Sequence, residues 1–157
     1  MPQTKEVVRK KKDYKVIESH LRNYRNYLAG IKNMNKQMDY IMPGITANYE
    51  LREESMGAFV FSSSTEKFAI DRIESKRALQ LHEDIMIYEL IINSIDVALA
   101  ELDDDEREFV ELRYFKNQSI LMVAEKMGYS ERQVFLIRNA VREILGISLK
   151  NLVNLRV

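Results

Sequence analysis

The side chains best suited to molecular recognition lie near the C-terminus, on one face of a helix predicted for residues 131–145. At helical spacing, the outward face carries Glu131, Arg132, Phe135, Arg138, Asn139 and Arg142. Arginine and asparagine can form bidentate hydrogen bonds with guanine and adenine in the major groove of DNA. The residue types and their spacing therefore predict a face that contacts double-stranded DNA.

Further candidates for DNA contact flank this face. Lys126 carries a positive charge, and Ser119 presents a hydroxyl at a predicted helix N-terminus; both kinds of group bind phosphate. Ser130 followed by Gln133 forms a capping box at the start of the next helix. We include all four residues in the predicted DNA-binding set.

No pattern in the sequence indicates an enzyme. The two histidines, His20 and His82, lie on either side of a connector and have no nucleophile pattern nearby, and the chain contains no cysteine and no Gly-rich phosphate loop. The acidic run 103–106 suggests a metal site at first sight, but acidic residues in a first helical turn are ordinary because they satisfy free backbone amides. We expect no catalytic residue, no metal and no cofactor.

The elements that position the polar face are three short helices, predicted over 104–116, 120–127 and 131–145. Ala124 is small enough for a close helix crossing, Gly128 supplies a left-handed stop, and Ser130 caps the third helix. The inward positions of that helix are Val134, Ile137, Val141, Ile144 and Leu145. This arrangement is typical of a helix-turn-helix.

Two longer amphipathic helices are predicted upstream. The first follows a heptad seam with one polar position, Asn35, and ends at Pro43-Gly44; its members are Tyr14, Ile17, Leu21, Tyr24, Leu28, Ile31, Asn35, Met38 and Met42. The second extends from about residue 64, capped by Ser63, to about residue 100. Its seam contains Leu81, Ile85, Tyr88, Ile92, Ile95, Leu99 and Leu102. The breadth of its apolar surface favours a homo-oligomer, and a monomeric antiparallel hairpin is the alternative.

The predicted fold is all-α: a long antiparallel helical hairpin followed by a C-terminal three-helix module. Residues 1–12 form a basic flexible arm, 13–102 a coiled-coil-like region with a connector at 43–63, and 103–157 the helix-turn-helix domain. Both ends of the chain are basic and the middle is acidic, although 24 basic and 24 acidic residues balance overall. No apolar run approaches the roughly 20 residues of a membrane span and no signal-peptide core is present, so we expect a cytoplasmic protein without a membrane partner.

The stretches 102–115 and 119–134 resemble region 4 of bacterial sigma factors, a helix-turn-helix that reads promoter DNA. The layout of the chain is similar to that of the RinA-like and ArpU-like phage transcriptional regulators. The matching parts are a Tyr- and Asn-rich helix at 21–27, a Gly/Ser connector at 57–64, a long helix beginning near Thr65-Glu66, and the module at 102–145. The resemblance implies a phage or prophage regulator, an activator of late genes in the bacterial cytoplasm, with host RNA polymerase as a further partner.

The sequence departs from the sigma pattern after Val134, where polar side chains are usual but Phe135 and Leu136 are present. Leu136 is interpreted as a core residue. Phe135 either touches a thymine methyl group or faces a protein partner. Two other functions remain open: a phage small terminase subunit, and a helical adaptor that binds RNA polymerase without reading DNA.

Overall fold

The computed structural model describes residues 2–41 and 64–155, with side chains described over 10–41 and 72–155. All regular elements in these ranges are helical, which confirms the predicted all-α class. The α-helices are α1 (Pro2–Arg22), α2 (Tyr24–Ile41), α3 (Ser64–Ala100), α4 (Asp104–Val110), α5 (Ile120–Met127) and α6 (Glu131–Ser148). A π-helical turn (Glu111–Phe115) continues α4, and a 3₁₀ turn (Lys150–Asn154) follows α6.

The first predicted helix is divided in two at Asn23. The Asn23 side-chain amide donates to the Ser19 carbonyl at 2.9 Å, a local bond that competes with regular helical geometry. Backbone hydrogen bonds still pass through this point, since Asn23 N donates to Ser19 O at 3.1 Å and Tyr27 N to Asn23 O at 2.9 Å. The interruption is therefore local.

The helix α1 begins at Pro2 and includes residues 2–12, for which the sequence predicts a basic arm. The flexibility of that arm stays a prediction. The stop at Pro43-Gly44, the connector at 43–63 and the cap at Ser63 lie outside the described residues.

The chain divides into two compact units, and the boundaries differ from the predicted domains. One unit comprises Met1–Leu28 with Glu89–Val157, and the other comprises Ala29–Tyr88. The first unit is built this way because α1 packs against α6, the π-helical turn and the 3₁₀ turn. Ile17 and Leu21 are almost completely buried there.

The core of the first unit also contains the apolar face of α6. Val134, Val141 and Leu145 are fully buried, as their helical spacing predicts, whereas Leu136 is 64% exposed. The interpretation of Leu136 as a core residue is therefore wrong: a helix of this kind buries one stripe of residues, and Leu136 lies off it.

In the second unit, α2 and α3 approach closely at Gly30. A Cβ atom at this position would lie 2.7 Å from the ring of Tyr88, so glycine is what allows the contact. Ala78 and Ile85 are buried in this unit, while Asn35 is exposed rather than set in a buried seam.

Candidate nucleic-acid interface

The turn between α5 and α6 is fixed by three local signals that the sequence contains. Ser119 caps α5, its hydroxyl accepting from Met122 N at 3.3 Å. Gly128 ends α5 with φ 71°, a left-handed conformation that glycine adopts without steric cost. Ser130 and Gln133 form the reciprocal capping box of α6, with Gln133 N donating to Ser130 Oγ at 3.3 Å and Ser130 N to Gln133 Oε1 at 3.0 Å.

A side-chain hydrogen bond also links the turn to α4. The Tyr129 hydroxyl donates to Asp105 Oδ2 at 2.7 Å, which raises the pKa of Tyr129 because the acceptor is a carboxylate. Asp103 and Glu106 form the capping box at the start of α4. Helix capping therefore explains why Asp103 and Glu106 are acidic, and this explanation does not involve a metal ion. In the described part of the chain, no cluster of three or more His, Cys, Asp or Glu residues could hold a metal ion.

Most of the predicted DNA-binding residues lie on the surface of this segment. Exposed side chains belong to Ser119, Lys126, Ser130, Glu131, Arg132, Gln133 and Asn139. Phe135 is 43% exposed, and the Arg138 guanidinium carbon lies 5.9 Å from the centre of its ring. Arg138 and Phe135 thus form one cationic and aromatic pair on α6.

Arg142 lies on the same side of α6, but its side chain is only about 34% exposed because α1 packs beside it, so its contact with DNA stays a prediction. Its Nη2 lies 3.2 Å from Glu18 Oε1, and its guanidinium carbon lies 4.8 Å from the centre of the Tyr14 ring. The helical period of α6 correctly indicates on which side of the helix Arg142 lies. It does not reveal that α1 packs over that side one turn after Arg138.

Around Arg142 is a cluster of four side chains, Tyr14, Glu18, Tyr114 and Arg142, which we call the tyrosine cluster. Tyr114 donates to Glu18 Oε1 at 2.9 Å, and the hydroxyls of Tyr14 and Tyr114 are 3.3 Å apart. Burial raises the pKa of both tyrosines, so both remain neutral at physiological pH. Sequence reasoning identified Tyr14 only as a seam residue and missed its distant polar partners Tyr114 and Arg142, which are 100 and 128 positions away.

Tyr24 and His20 make further contacts that hold the start of α2 and the end of α1 in the first unit. Tyr24 donates to Asp96 Oδ1 at 2.6 Å, its ring stacks on Phe115 at 4.8 Å, and burial with the Asp96 bond raises its pKa to about 12. His20 is buried, with its Nδ1 2.8 Å from the Tyr27 hydroxyl. Burial lowers the pKa of His20, and a hydrogen bond with the Leu152 backbone partly offsets this effect.

Comparison of the chain with known protein families, characterised proteins and solved structures found no match. The resemblance to sigma region 4 and to RinA-like and ArpU-like regulators therefore stays a prediction, based on the residues quoted for it. Among the described helices, none combines the length and the apolar character needed to cross a membrane.

Proposed function

We propose that the chain binds double-stranded DNA with the exposed side of α6 and regulates transcription from phage or prophage promoters. The observation that carries the proposal is the division of α6 into two faces. Val134, Val141 and Leu145 are fully buried, while Arg132 and Asn139 are exposed. In helix-turn-helix proteins, the helix after the turn presents such a polar side to the major groove.

Arg132, Arg138 and Asn139 are the residues proposed to read bases. Lys126 and the capped N-termini of α5 and α6 supply contacts to phosphate, which set position rather than sequence preference. Glu131 is proposed to stabilise the helix instead, because an acidic residue in the first turn interacts favourably with the positive end of the helix dipole. Arg142 is left out of the proposed DNA face.

The experiment is a comparison of arginine variants in DNA binding, measured by fluorescence anisotropy on a duplex selected by the wild-type chain. Arg132→Ala and Arg138→Ala should each weaken binding by about 1–3 kcal/mol, which is the contribution of a good bidentate base contact. Arg77→Ala, an exposed arginine on α3, is the matched control and should bind like the wild type. Equal affinity for all three variants would contradict the proposal.

A second candidate function is a helical adaptor for RNA polymerase or another protein, and exposed apolar side chains favour it. Leu121, Met122, Phe135 and Leu136 are between 43% and 64% exposed on α5 and α6. Exposed apolar side chains are typical of protein interfaces. An adaptor would lose its protein partner on Leu121→Ser and Leu136→Ser while showing no sequence-selective DNA binding at all.

A further inference from the structure

Four apolar residues form an exposed stripe along α3, on the side opposite its buried residues. Leu79 is 59% exposed, Met86 55%, Leu90 49% and Val97 68%. At 100° per residue, these positions fall within about 40° of one another around the helix axis. The buried Ile85, Ile92 and Ile95 lie on the other side. We call the four exposed residues the α3 stripe. Because all four belong to one continuous helix, the helical period is enough to place them on the same side.

The spacing of the α3 stripe is the same in both directions along the helix. The steps are seven, four and seven residues, so a two-fold axis midway between Met86 and Leu90 maps the stripe onto itself. A second copy running antiparallel then places its Val97 opposite Leu79 and its Leu90 opposite Met86. A self-complementary patch of this kind is what an isologous dimer requires.

Three charges beside the two ends of the stripe are complementary in the same register. Arg72 and Lys76 lie within about 60° of the centre of the stripe, and Glu101 is the residue directly after α3. The two-fold axis brings Glu101 of one copy to the level of residue 75 of the other, between Arg72 and Lys76. All three side chains are exposed. Opposite charges beside an apolar seam set the partner and the orientation of paired helices.

From the stripe, its symmetric spacing and these charges, we propose that two copies of the chain associate through α3, antiparallel, about an axis between Met86 and Leu90. This dimer goes beyond DNA binding and does not depend on it. It also differs from self-association through the Ile92 seam, because Ile92 is buried within the chain.

Light scattering of the full chain across about 1–200 μM tests the association. The wild type should change from monomer to dimer with concentration, and Leu90→Glu should shift the midpoint at least tenfold upward. Ile73→Glu is the matched control, since Ile73 is exposed on α3 but lies about 120° from the stripe; it should dimerise like the wild type. A wild-type chain that stays monomeric throughout would overturn the proposal.

Cysteine cross-linking tests the antiparallel register, because the chain contains no cysteine of its own. A mixture of Leu79→Cys and Val97→Cys chains should form disulfide-linked heterodimers. Neither variant should cross-link alone, because identical positions would lie about 27 Å apart in the antiparallel pair. Rapid cross-linking of either single variant would indicate a parallel pair and overturn the proposal.

Exchanging the charges at positions 76 and 101 tests the register of the dimer independently. Lys76→Glu should weaken the dimer about threefold to tenfold at low salt, as expected for exposed ion pairs, and adding Glu101→Lys should restore it. Within one copy the two positions are 25 residues apart, about 37 Å along a helix, so rescue has to act between copies. Failure of the double variant to recover any affinity would contradict the register.

Discussion

Glu18 of α1 and Arg142 of α6 lie 3.2 Å apart, 124 positions from each other in the sequence. Their side chains are about 20% and 34% exposed, so the pair is partly withdrawn from water. The same carboxylate accepts a hydrogen bond from Tyr114. The N-terminal helix is thus fastened to the proposed recognition helix by a shared polar cluster.

We expect Arg142→Ala to reduce stability rather than DNA affinity. The substitution leaves Glu18 without its cation and removes the guanidinium from the Tyr14 ring, which should lower the free energy of unfolding by about 1–3 kcal/mol. Urea denaturation of the full chain measures this change. Glu143→Ala, an exposed neighbour, should stay within about 0.5 kcal/mol of the wild type. Unchanged stability combined with a loss of DNA affinity would return Arg142 to the DNA face.

The stability of the first unit should decrease in mild acid because of His20. Burial holds the pKa of folded His20 below the ordinary value of 6.5, so the unfolded chain binds the proton more tightly. The stabilising contribution is therefore complete above about pH 6.5 and is lost as the pH falls through the folded-state pKa. Urea midpoints measured between pH 5 and pH 8 should show this decline in the wild type and less of it in His20→Gln. The exposed His82 provides the control variant His82→Gln, which should keep the wild-type profile; a profile equally steep in His20→Gln would assign the effect to other groups.

Ile92→Asp should unfold or strongly destabilise the chain. Ile92 is 6% exposed, and a carboxylate placed there loses its hydration without a partner, a cost of several kcal/mol. Circular dichroism during thermal unfolding measures the effect. The adjacent Asn93→Asp introduces the same charge at an exposed position of α3 and should change stability little. A fully folded Ile92→Asp with an unchanged melting temperature would show that this position tolerates hydration.

The sequence predicts local features of this fold well because neighbouring residues determine them. The caps at Ser119 and Ser130, the stop at Gly128 and the buried positions Val134 and Val141 all follow from short spacings and are confirmed. Arg142 shows the limit: helical periodicity assigns it to a face but does not reveal that α1 covers that face. The break at Asn23 coincides with a side-chain hydrogen bond to Ser19, which a heptad pattern does not reveal.

Replacing Phe135 tests whether its side chain contacts DNA or a protein partner. Its ring is 43% exposed beside Arg138, and we expect it to meet a thymine methyl group, since Arg132 and Asn139 nearby are polar. Phe135→Ala should then weaken DNA binding mainly for sites with A·T pairs at the contacted position, measured on duplexes substituted one base pair at a time. Leu136→Ala is the matched control. Normal DNA binding by Phe135→Ala, with failed transcription activation, would assign the ring to a protein partner.

Selection from a pool of random double-stranded DNA by the full chain, followed by affinity measurement over a salt series, tests whether α6 reads a DNA sequence. We expect enrichment of one sequence motif, bound at least about 10³-fold more tightly than unselected duplex. The affinity should fall steeply as salt rises, because phosphate contacts release counterions. Arg132→Ala should lose the preference at one position of the motif, while Arg77→Ala keeps it. A pool that shows no enrichment, with no salt-dependent binding by the folded wild-type chain, would contradict the assignment of α6 as a DNA-reading helix.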